Sequence, residues 1–328
     1  MIKFLVVRFS SIGDIVLTSP VVRAIKKQIP ESEVHYLTKK NFSFLLKDNP
    51  NIDKVFEFDN DFRALVEQLK NESYDYVIDL HNNLRTRRIK NALSIADFTI
   101  DKLNFRKWLL VNFKINRLPQ KHIVERSLET LSVFDIKNDK VGLDYFFTEK
   151  DNYKIDTSVL DVRNGYVAFV IGATYYTKQI PNELSKEIIN KSALPFVLLG
   201  GKDDVEKAEE LTKQIESPVL NLCGKISLNE SASVIKQAKL VVSSDTGLMH
   251  IAAAFNKPII SLWGNTVPEF GMSPYLPNSL SKIFEIDNLK CRPCSKIGYD
   301  KCPKKHFDCM QKLNSSDIAE YLKYAYAQ

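Results

Sequence analysis

Residues 240–266 read LVVSSDTGLMHIAAAFNKPIISLWGNT, and the fold can be worked out from this stretch. It predicts buried apolar strands at Leu240–Ser243 and Ile259–Trp263. Between them, apolar residues recur at helical spacing from Leu248 to Phe255, and Pro258 prevents the helix from continuing. Two strands joined by a helix are typical of a parallel sheet in an α/β fold.

The start of this predicted helix is a candidate anion site. Asp245 can cap the helix, and Gly247 leaves the backbone open to close approach. The first-turn N–H groups have no partner inside the helix, and they lie at the positive end of its dipole. A diphosphate fits such a place at the carboxyl edge of a sheet. An ordinary helix capped by Asp245 fits the residues equally well, so both interpretations stay open.

Strand and helix alternate along the rest of the chain as well. Phe147–Asn164 is polar and lacks periodicity, and the alternation restarts after it. We therefore predict two α/β domains, residues 1–155 and 156–328. Further strands are predicted at Ile2–Val7, Val34–Leu37, Val55–Phe58, Tyr76–Leu80, Tyr166–Ile171, Pro195–Leu199 and Val219–Leu222.

Charge is distributed unevenly. The chain of 328 residues has a formal net charge of +6, which by itself indicates little. Between Arg85 and Arg126, however, eleven Lys or Arg stand against three acidic residues, a local excess of +8. Such an excess attracts anionic partners, including phosphates, acidic sugars, nucleic acid and membrane headgroups. A solvated face of a helical region would carry the same charges.

Cysteine usage and hydropathy indicate a cytosolic protein. Five cysteines, of which four fall in residues 291–309, do not suit a secreted disulfide framework. The N-terminal apolar run is interrupted by Arg8 and is too short for a signal peptide. No stretch approaches the roughly 20 apolar residues of a membrane span. We expect a cytoplasmic protein, peripheral at the inner membrane if its basic segment touches the headgroups.

The stretches DTGLMHIAAA (245–254) and KPIISLWGNT (257–266) resemble the donor-binding segment of glycosyltransferase family 9, the heptosyltransferases. The resemblance implies a GT-B fold, in which two Rossmann-like domains face each other across a cleft. The N-terminal domain would bind the acceptor and the C-terminal domain the nucleotide sugar. It also implies that Asp245 contacts the donor sugar, that the amides of Thr246, Gly247 and Leu248 hold the diphosphate, and that His250 is the family's histidine.

The resemblance continues through Gly172–Pro181. Lys178 matches the lysine that neutralises the diphosphate leaving group, and Thr174 falls where the family places a hydroxyl or amide near the phosphates. Gln179-Ile180 replaces the family's usual Arg-Trp. Gly200 ends the next strand, where the family approaches the nucleotide base.

The first loop, residues 8–14, resembles the segment that carries the family's catalytic base. An inverting transfer needs one carboxylate to accept the proton of the attacking hydroxyl. The resemblance gives this role to Asp14, although its spacing also fits a helix N-cap. Gly13 lets the loop turn, and Ser10, Ser11 and Arg8 are expected to meet the acceptor. No metal is needed, because Lys178 and helix amides can stabilise the leaving group.

The acceptor side is predicted from Asp79–Thr86, which resembles the family's acceptor-facing loop. His81 and Arg85 are the candidate binding residues. Arginine forks suit phosphates and carboxylates, so an anionic glycolipid core is the expected acceptor.

Four cysteines form a separate candidate metal site. Cys291, Cys294, Cys302 and Cys309 can hold a structural zinc ion, and the alternative is free or disulfide-paired thiols.

The predicted function is an inverting, metal-independent transfer of heptose, or a related sugar, from an ADP-heptose-like donor to lipopolysaccharide core. One alternative is a nucleotide-sugar epimerase of the same architecture. Another is a basic nucleic-acid-binding protein with a zinc module, although no nucleic-acid motif is present. A nicotinamide-dependent oxidoreductase is disfavoured because no GxGxxG follows the first strand.

Overall fold

A computed structural model describes all 328 residues, and the chain divides into two compact units. Unit 1 comprises Met1–Asn104 and Gln120–Phe147, and unit 2 comprises Phe105–Pro119 and Thr148–Gln328. The predicted boundary at 155/156 assigned residues 105–119 to the first domain, which differs from this division. The reason is packing, since Leu110 is buried in a cluster with Val267 and Phe270 of unit 2.

Unit 1 is built on a five-stranded parallel sheet. Its order is β3-β2-β1-β4-β5, so the direction of strand addition reverses between β1 and β4. Val7 at the end of β1 lies opposite Asp79 at the end of β4, which brings the loops after these strands together. The strands are β1 (Ile2–Val7), β2 (Ser32–Lys39), β3 (Lys54–Phe58), β4 (Tyr76–Asp79) and β5 (Ala96–Thr99).

Unit 2 is built on a six-stranded parallel sheet in the order β11-β10-β9-β6-β7-β8. Here the reversal falls between β6 and β9. The carboxyl ends of β6, β9 and β10 are therefore neighbours at one edge of the sheet. The strands are β6 (Val167–Val170), β7 (Phe196–Leu199), β8 (Val219–Asn221), β9 (Leu240–Ser244), β10 (Ile259–Trp263) and β11 (Lys282–Glu285).

The helices fill the crossovers between the strands and close the chain. Pro20 occupies the first turn of a new helix rather than the middle of one, because a short helix ends at Val16 and the next begins at Ser19. No helix is both long enough and apolar enough to span a bilayer. The helices are α1 (Ile12–Val16), α2 (Ser19–Gln28), α3 (Phe62–Asn71), α4 (Leu84–Leu93), α5 (Asn104–Phe113), α6 (Ile123–Leu128), α7 (Asn182–Ser192), α8 (Val205–Thr212), α9 (Leu228–Gln237), α10 (Gly247–Ala254), α11 (Asp308–Gln311) and α12 (Ser315–Ala327).

Candidate functional site

The N-terminus of α10 follows β9 at the reversal point of the second sheet. The capping residue is Thr246, whose hydroxyl accepts a hydrogen bond from the N–H of Met249 at 3.4 Å. Of the two interpretations left open by the sequence, the one in which Asp245 caps the helix is therefore not realised. Thr246 has extended backbone geometry and its side chain already occupies the capping position. The amides of Gly247 and Leu248 lie in the first turn, where no helix carbonyl can accept from them.

Because Asp245 does not cap the helix, its carboxylate is available for other contacts. Oδ2 lies 2.6 Å from Nζ of Lys178 and accepts a hydrogen bond from Oγ1 of Thr266 at 3.2 Å. Lys178 lies in the loop after β6, and Thr266 follows β10. Three adjacent strand ends thus bring a cation, a carboxylate and a hydroxyl together at the start of α10. Sequence reasoning selected Lys178 and Asp245 but missed Thr266, which the quoted stretch contains.

The loop that carries Thr174 and Lys178 is fastened at both ends by one side chain. Nζ of Lys207, on α8, donates to the carbonyl of Ile171 at 3.1 Å and to that of Ile180 at 2.8 Å. Burial lowers the pKa of Lys207 to about 8, and neighbouring Asp204 opposes part of this shift. Thr174 is exposed on the fastened loop. No motif in the sequence indicates Lys207.

Glycines at the ends of β6 and β7 make room for Asp204. A Cβ atom on Gly172 would lie 2.0 Å from Oδ2 of Asp204, and one on Gly200 would lie 2.9 Å from its Cβ. The buried carboxylate accepts the N–H of Gly201 at 2.8 Å. A glycine is therefore required at position 200 by the packing of Asp204, whether or not a ligand also approaches there. His250 is only 2% exposed within α10.

Asp14 in unit 1 is held by a short network. It is the third residue of α1, and Ser11 is the N-cap, so the N-cap alternative for Asp14 is not realised. Ser11 donates to Oδ2 of Asp14 from its hydroxyl at 2.7 Å and from its N–H at 3.1 Å. Nη2 of Arg8 lies 2.5 Å from Oδ1. The carboxylate is therefore oriented and charge-balanced while its side chain stays 25% exposed.

Arg8 joins the two loops that meet at the reversal point of the first sheet. Its Nε donates to the carbonyl of Ser10 at 2.8 Å and its Nη1 to that of Leu80 at 2.6 Å. Gly13 is buried in α1. Arg8, Ser10, Ser11 and Gly13 thus lie in the loop and helix turn that carry Asp14, and their role in binding an acceptor stays a prediction.

Comparison with known proteins agrees with this architecture. The sequence profile of glycosyltransferase family 9 (heptosyltransferase) matches residues 62–303. The chain is 25% identical to lipopolysaccharide heptosyltransferase 1 of Campylobacter coli, and the match covers 98% of both chains.

Two solved structures extend the comparison to the fold. The Escherichia coli ADP-heptose lipopolysaccharide heptosyltransferase II superposes with a TM-score of 0.76 at 20% identity, covering 100% of this chain and 99% of that one. An Escherichia coli heptosyltransferase solved with ADP gives a TM-score of 0.70 at 23% identity, covering 99% and 100%.

The chain belongs to glycosyltransferase family 9. It is therefore a glycosyltransferase of the heptosyltransferase family, and its two parallel-sheet units are those of the GT-B fold. The matched range contains Lys178 and Asp245 but not Asp14. The family match therefore does not extend to Asp14, and its assignment as the catalytic base depends on the geometry around it.

In this family 9 glycosyltransferase, His81 packs edge-on against Phe9 at 5.3 Å. Burial, reinforced by the charges of Arg8 and Lys102, lowers the pKa of His81 to about 4. The imidazole is therefore neutral at physiological pH, so it cannot contribute positive charge to an anionic acceptor. Arg85 is charged, and its guanidinium lies over the rings of Phe9 and Phe58 at 5.3 and 4.8 Å.

The basic excess between Arg85 and Arg126 is divided between the two units of the glycosyltransferase. Residues 105–119 belong to unit 2 and the remainder to unit 1. Several of the charges are also neutralised or buried within their own unit. Lys90 pairs with Asp79 and Asp97, and Arg126 is only 5% exposed. The count of charges along the sequence therefore overstates what a single ligand can meet.

The cysteine segment, residues 291–309, lies in unit 2 of the glycosyltransferase. All five cysteines of the chain are free thiols, so the disulfide alternative is not realised. Sγ of Cys291 lies 3.8 Å from Nε2 of His306. Burial and the nearby Cys291 and Cys302 raise the pKa of Cys294. The cysteines are thus neighbours, but no three of their sulfurs lie within 4.8 Å of one another.

Glu33, His35 and Glu72 do form such a close group. His35 is already hydrogen-bonded to Glu33 at 2.7 Å and to Tyr74 at 2.8 Å. Lys3 lies 3.3 Å from Glu33 and 3.5 Å from Glu72. The ammonium of Lys3 pairs with the two carboxylates, and the hydroxyl of Tyr74 is a hydrogen-bond partner of His35, so the group needs no metal ion to balance it. We therefore interpret it as a structural ion network.

Proposed function

We propose that this glycosyltransferase moves a heptose from ADP-heptose to an anionic sugar of a lipopolysaccharide core, with inversion at the anomeric carbon. The proposed binding of the nucleotide-sugar donor rests on one observation, the contacts of Asp245 with Lys178 and Thr266 at the start of α10. One of the two solved relatives is an ADP-heptose lipopolysaccharide heptosyltransferase and the other was solved with ADP, which supports an adenine nucleotide here.

The diphosphate would be held without a metal. Its oxygens would accept from the first-turn amides of α10, at Thr246, Gly247 and Leu248, where the helix dipole is positive. The ammonium of Lys178 would turn from Asp245 to the phosphates and stabilise the charge that grows on the departing ADP. Asp245 would then be available to hydroxyls of the donor sugar. Thr174 would add a hydroxyl from the same loop as Lys178.

Asp14 would act as the base. As the acceptor oxygen forms its bond to the anomeric carbon, the bond from that carbon to the phosphate oxygen breaks and ADP leaves. The acceptor's hydroxyl proton passes to a carboxylate oxygen of Asp14. Ser11 and Arg8 fix the orientation of the carboxylate, and Arg8 also offers charge to an acceptor carboxylate or phosphate.

The acceptor would be an anionic glycolipid at the cytoplasmic face of the inner membrane. Arg85 would contribute charge and a planar donor fork, because it is fixed over two aromatic rings. His81 would contribute a neutral hydrogen bond. We also propose that the four clustered cysteines, Cys291, Cys294, Cys302 and Cys309, close around one structural zinc ion without a part in the chemistry.

Calorimetry with ADP, UDP and GDP tests the donor assignment. We expect selective binding of ADP, weakened about tenfold or more in Lys178→Ala by loss of a charge-assisted contact. Lys186→Ala is the matched control, since Lys186 is a unit 2 lysine paired only with Glu183 on α7. Preferential binding of UDP or GDP would mean that the donor carries a different nucleotide, while the assignment as a transferase would stand. No binding of any of the three would overturn the site.

An acceptor-dependent release of ADP separates a transferase from an epimerase of the same architecture. A transferase releases ADP from ADP-heptose only when lipopolysaccharide core acceptor is present. Conversion of the sugar without acceptor would contradict the proposal.

A further inference from the structure

Helix α5 presents a row of aromatic side chains to solvent. Phe105, Trp108 and Phe113 are 68%, 48% and 58% exposed. Their rings contact one another, with centroids 6.0 Å apart for Phe105 and Trp108 and 5.2 Å apart for Trp108 and Phe113. Ile115, just after the helix, is 46% exposed. Exposed aromatic rings that cluster on a stable helix mark an interaction surface more often than scattered apolar residues do.

The helix is anchored from its other side. Leu110 is buried against Val267 and Phe270, and Nζ of Lys107 lies 5.7 Å from the centre of the Phe270 ring. The inward residues therefore account for the attachment of the helix to unit 2. The outward aromatics do not take part in it, so packing within the chain does not explain them.

Lys114 connects the end of α5 to the cysteine segment. Its Nζ donates to the carbonyl of Pro293 at 2.6 Å and to that of Cys291 at 3.3 Å. The cysteine segment is itself basic and exposed, with Ile297 53% and Tyr299 44% exposed among its lysines. The exposed cations on and just after α5 and in residues 290–305 are Arg106, Lys114, Arg117, Lys290, Lys296, Lys301, Lys304 and Lys305.

We propose that α5 and the adjoining residues 290–305 form a docking surface for a bilayer that contains anionic phospholipids. Aromatic and aliphatic side chains enter the interface between headgroups and acyl chains, and the surrounding Lys and Arg meet the phosphates. A second copy of the chain docked through the same face would place eight cations against eight cations, which makes self-association the weaker fit. The proposal rests on the proposed function only in that a glycolipid acceptor lies in such a bilayer.

Vesicle co-sedimentation tests the surface without any sugar substrate. We expect the chain to bind vesicles of phosphatidylglycerol mixed with phosphatidylethanolamine, to bind phosphatidylcholine vesicles weakly, and to be released as salt rises. The double variant Phe105→Ser with Phe113→Ser should bind about tenfold or more weakly, because it removes two inserting rings. Tyr324→Ser, at a 55% exposed residue of α12, is the matched control and should bind like the parent chain.

Tryptophan fluorescence gives a second measurement at the surface itself. The chain has two tryptophans, and Trp263 is only 1% exposed, so a blue shift on adding anionic vesicles reports Trp108. ADP binding is measured on the same samples. Intact ADP binding without vesicle binding overturns the docking surface alone, whereas vesicle binding without ADP binding overturns the donor site alone. Self-association that the double variant abolishes, without vesicle binding, assigns the surface to a second copy and also overturns the proposal.

Discussion

The ammonium of Lys178 lies 2.6 Å from a carboxylate oxygen of Asp245, so the cation proposed for the diphosphate is already paired before any donor arrives. A diphosphate must compete with Asp245 for this lysine. The two residues should therefore respond differently to mutation, although they belong to one contact.

We expect Asp245→Asn to bind ADP as well as the parent chain or more tightly, because Lys178 loses its competing partner. Transfer from ADP-heptose should nevertheless fall about a hundredfold, since the sugar loses its carboxylate contact in the transition state. Lys178→Ala should weaken both properties. The measurements are the Kd for ADP and kcat for ADP release, and a parallel loss of both in Asp245→Asn would contradict the assignment.

Lys207 fastens both ends of the loop that carries Lys178, so Lys207→Met should raise the Kd for ADP while changing kcat much less. Two buried carbonyls lose their donor, which should also cost about 1–3 kcal/mol of unfolding free energy. Lys202→Met, at an exposed residue just before α8, controls for loss of a surface charge. An unchanged Kd in Lys207→Met would show that the loop keeps its shape without the clamp.

The lowered pKa of Lys207 has a consequence for stability above neutral pH. The pKa is about 8 in the folded chain and 10.5 for the ordinary side chain, so between these values the unfolded chain binds more protons. Stability contributed by this residue should therefore rise as pH increases from about 8 to about 10.5. Urea unfolding of the parent chain and Lys207→Met across this range checks it, because the other lysines cancel in the difference. A pH-independent difference would contradict the shift.

The sequence was most informative where strands are fully buried. Leu240–Ser244 and Ile259–Trp263 are buried at every residue, and their apolar runs predicted both strands. The helix between them was predicted from the helical spacing of apolar residues from Leu248 to Phe255. The edge strands Ala96–Thr99 and Lys282–Glu285 were not predicted. Each is exposed at two residues and partly buried at two, so neither carries a continuous apolar run.

The same limit applies to the candidate site: contacts between residues close in sequence could be predicted, and contacts between distant residues could not. The Ser11–Asp14 contact spans three residues and belongs to one helical turn, so its spacing was visible in the sequence. Lys207 meets Ile171 across 36 residues, and Thr266 meets Asp245 across 21. Pairing between neighbouring strands of the sheet brings such residues together, and no local pattern in the sequence records it. The predicted and observed divisions differ at residues 105–119 for a related reason, since the partners of Leu110 lie far along the chain.

His81 should stay neutral over the working pH range. Its pKa of about 4 lies below the ordinary 6.5, so the unfolded chain binds more protons between these values. Its contribution to stability is thus complete above about 6.5 and is lost as pH falls towards 4. The ring resonances of His81, assigned in NMR spectra by comparison with His81→Gln, should titrate near 4. A midpoint near 6.5 would contradict its burial and allow the charged role.

The cysteine segment should carry about one zinc ion per chain if the four thiolates close into a tetrahedral site. Metal analysis of the purified chain measures this directly, and Cys291→Ser with Cys294→Ser should lose the ion and lower the Tm. Cys223→Ser, at a buried cysteine outside the segment, controls for the loss of a thiol. Protein purified without chelator that contains no metal, and that gains no stability when zinc is added, would remove the site.

Asp14→Asn should separate chemistry from donor binding. The amide cannot accept the acceptor's proton, so kcat should fall about 10²–10⁴-fold. The Kd for ADP should stay unchanged, because the nucleotide contacts are proposed in the other unit. Ser11→Ala keeps the carboxylate and removes only one of its hydrogen bonds, so its kcat should fall much less. If Asp14→Asn transferred heptose at the parent rate, Asp14 would be a structural partner of Arg8 and Ser11, and the base would have to be sought elsewhere.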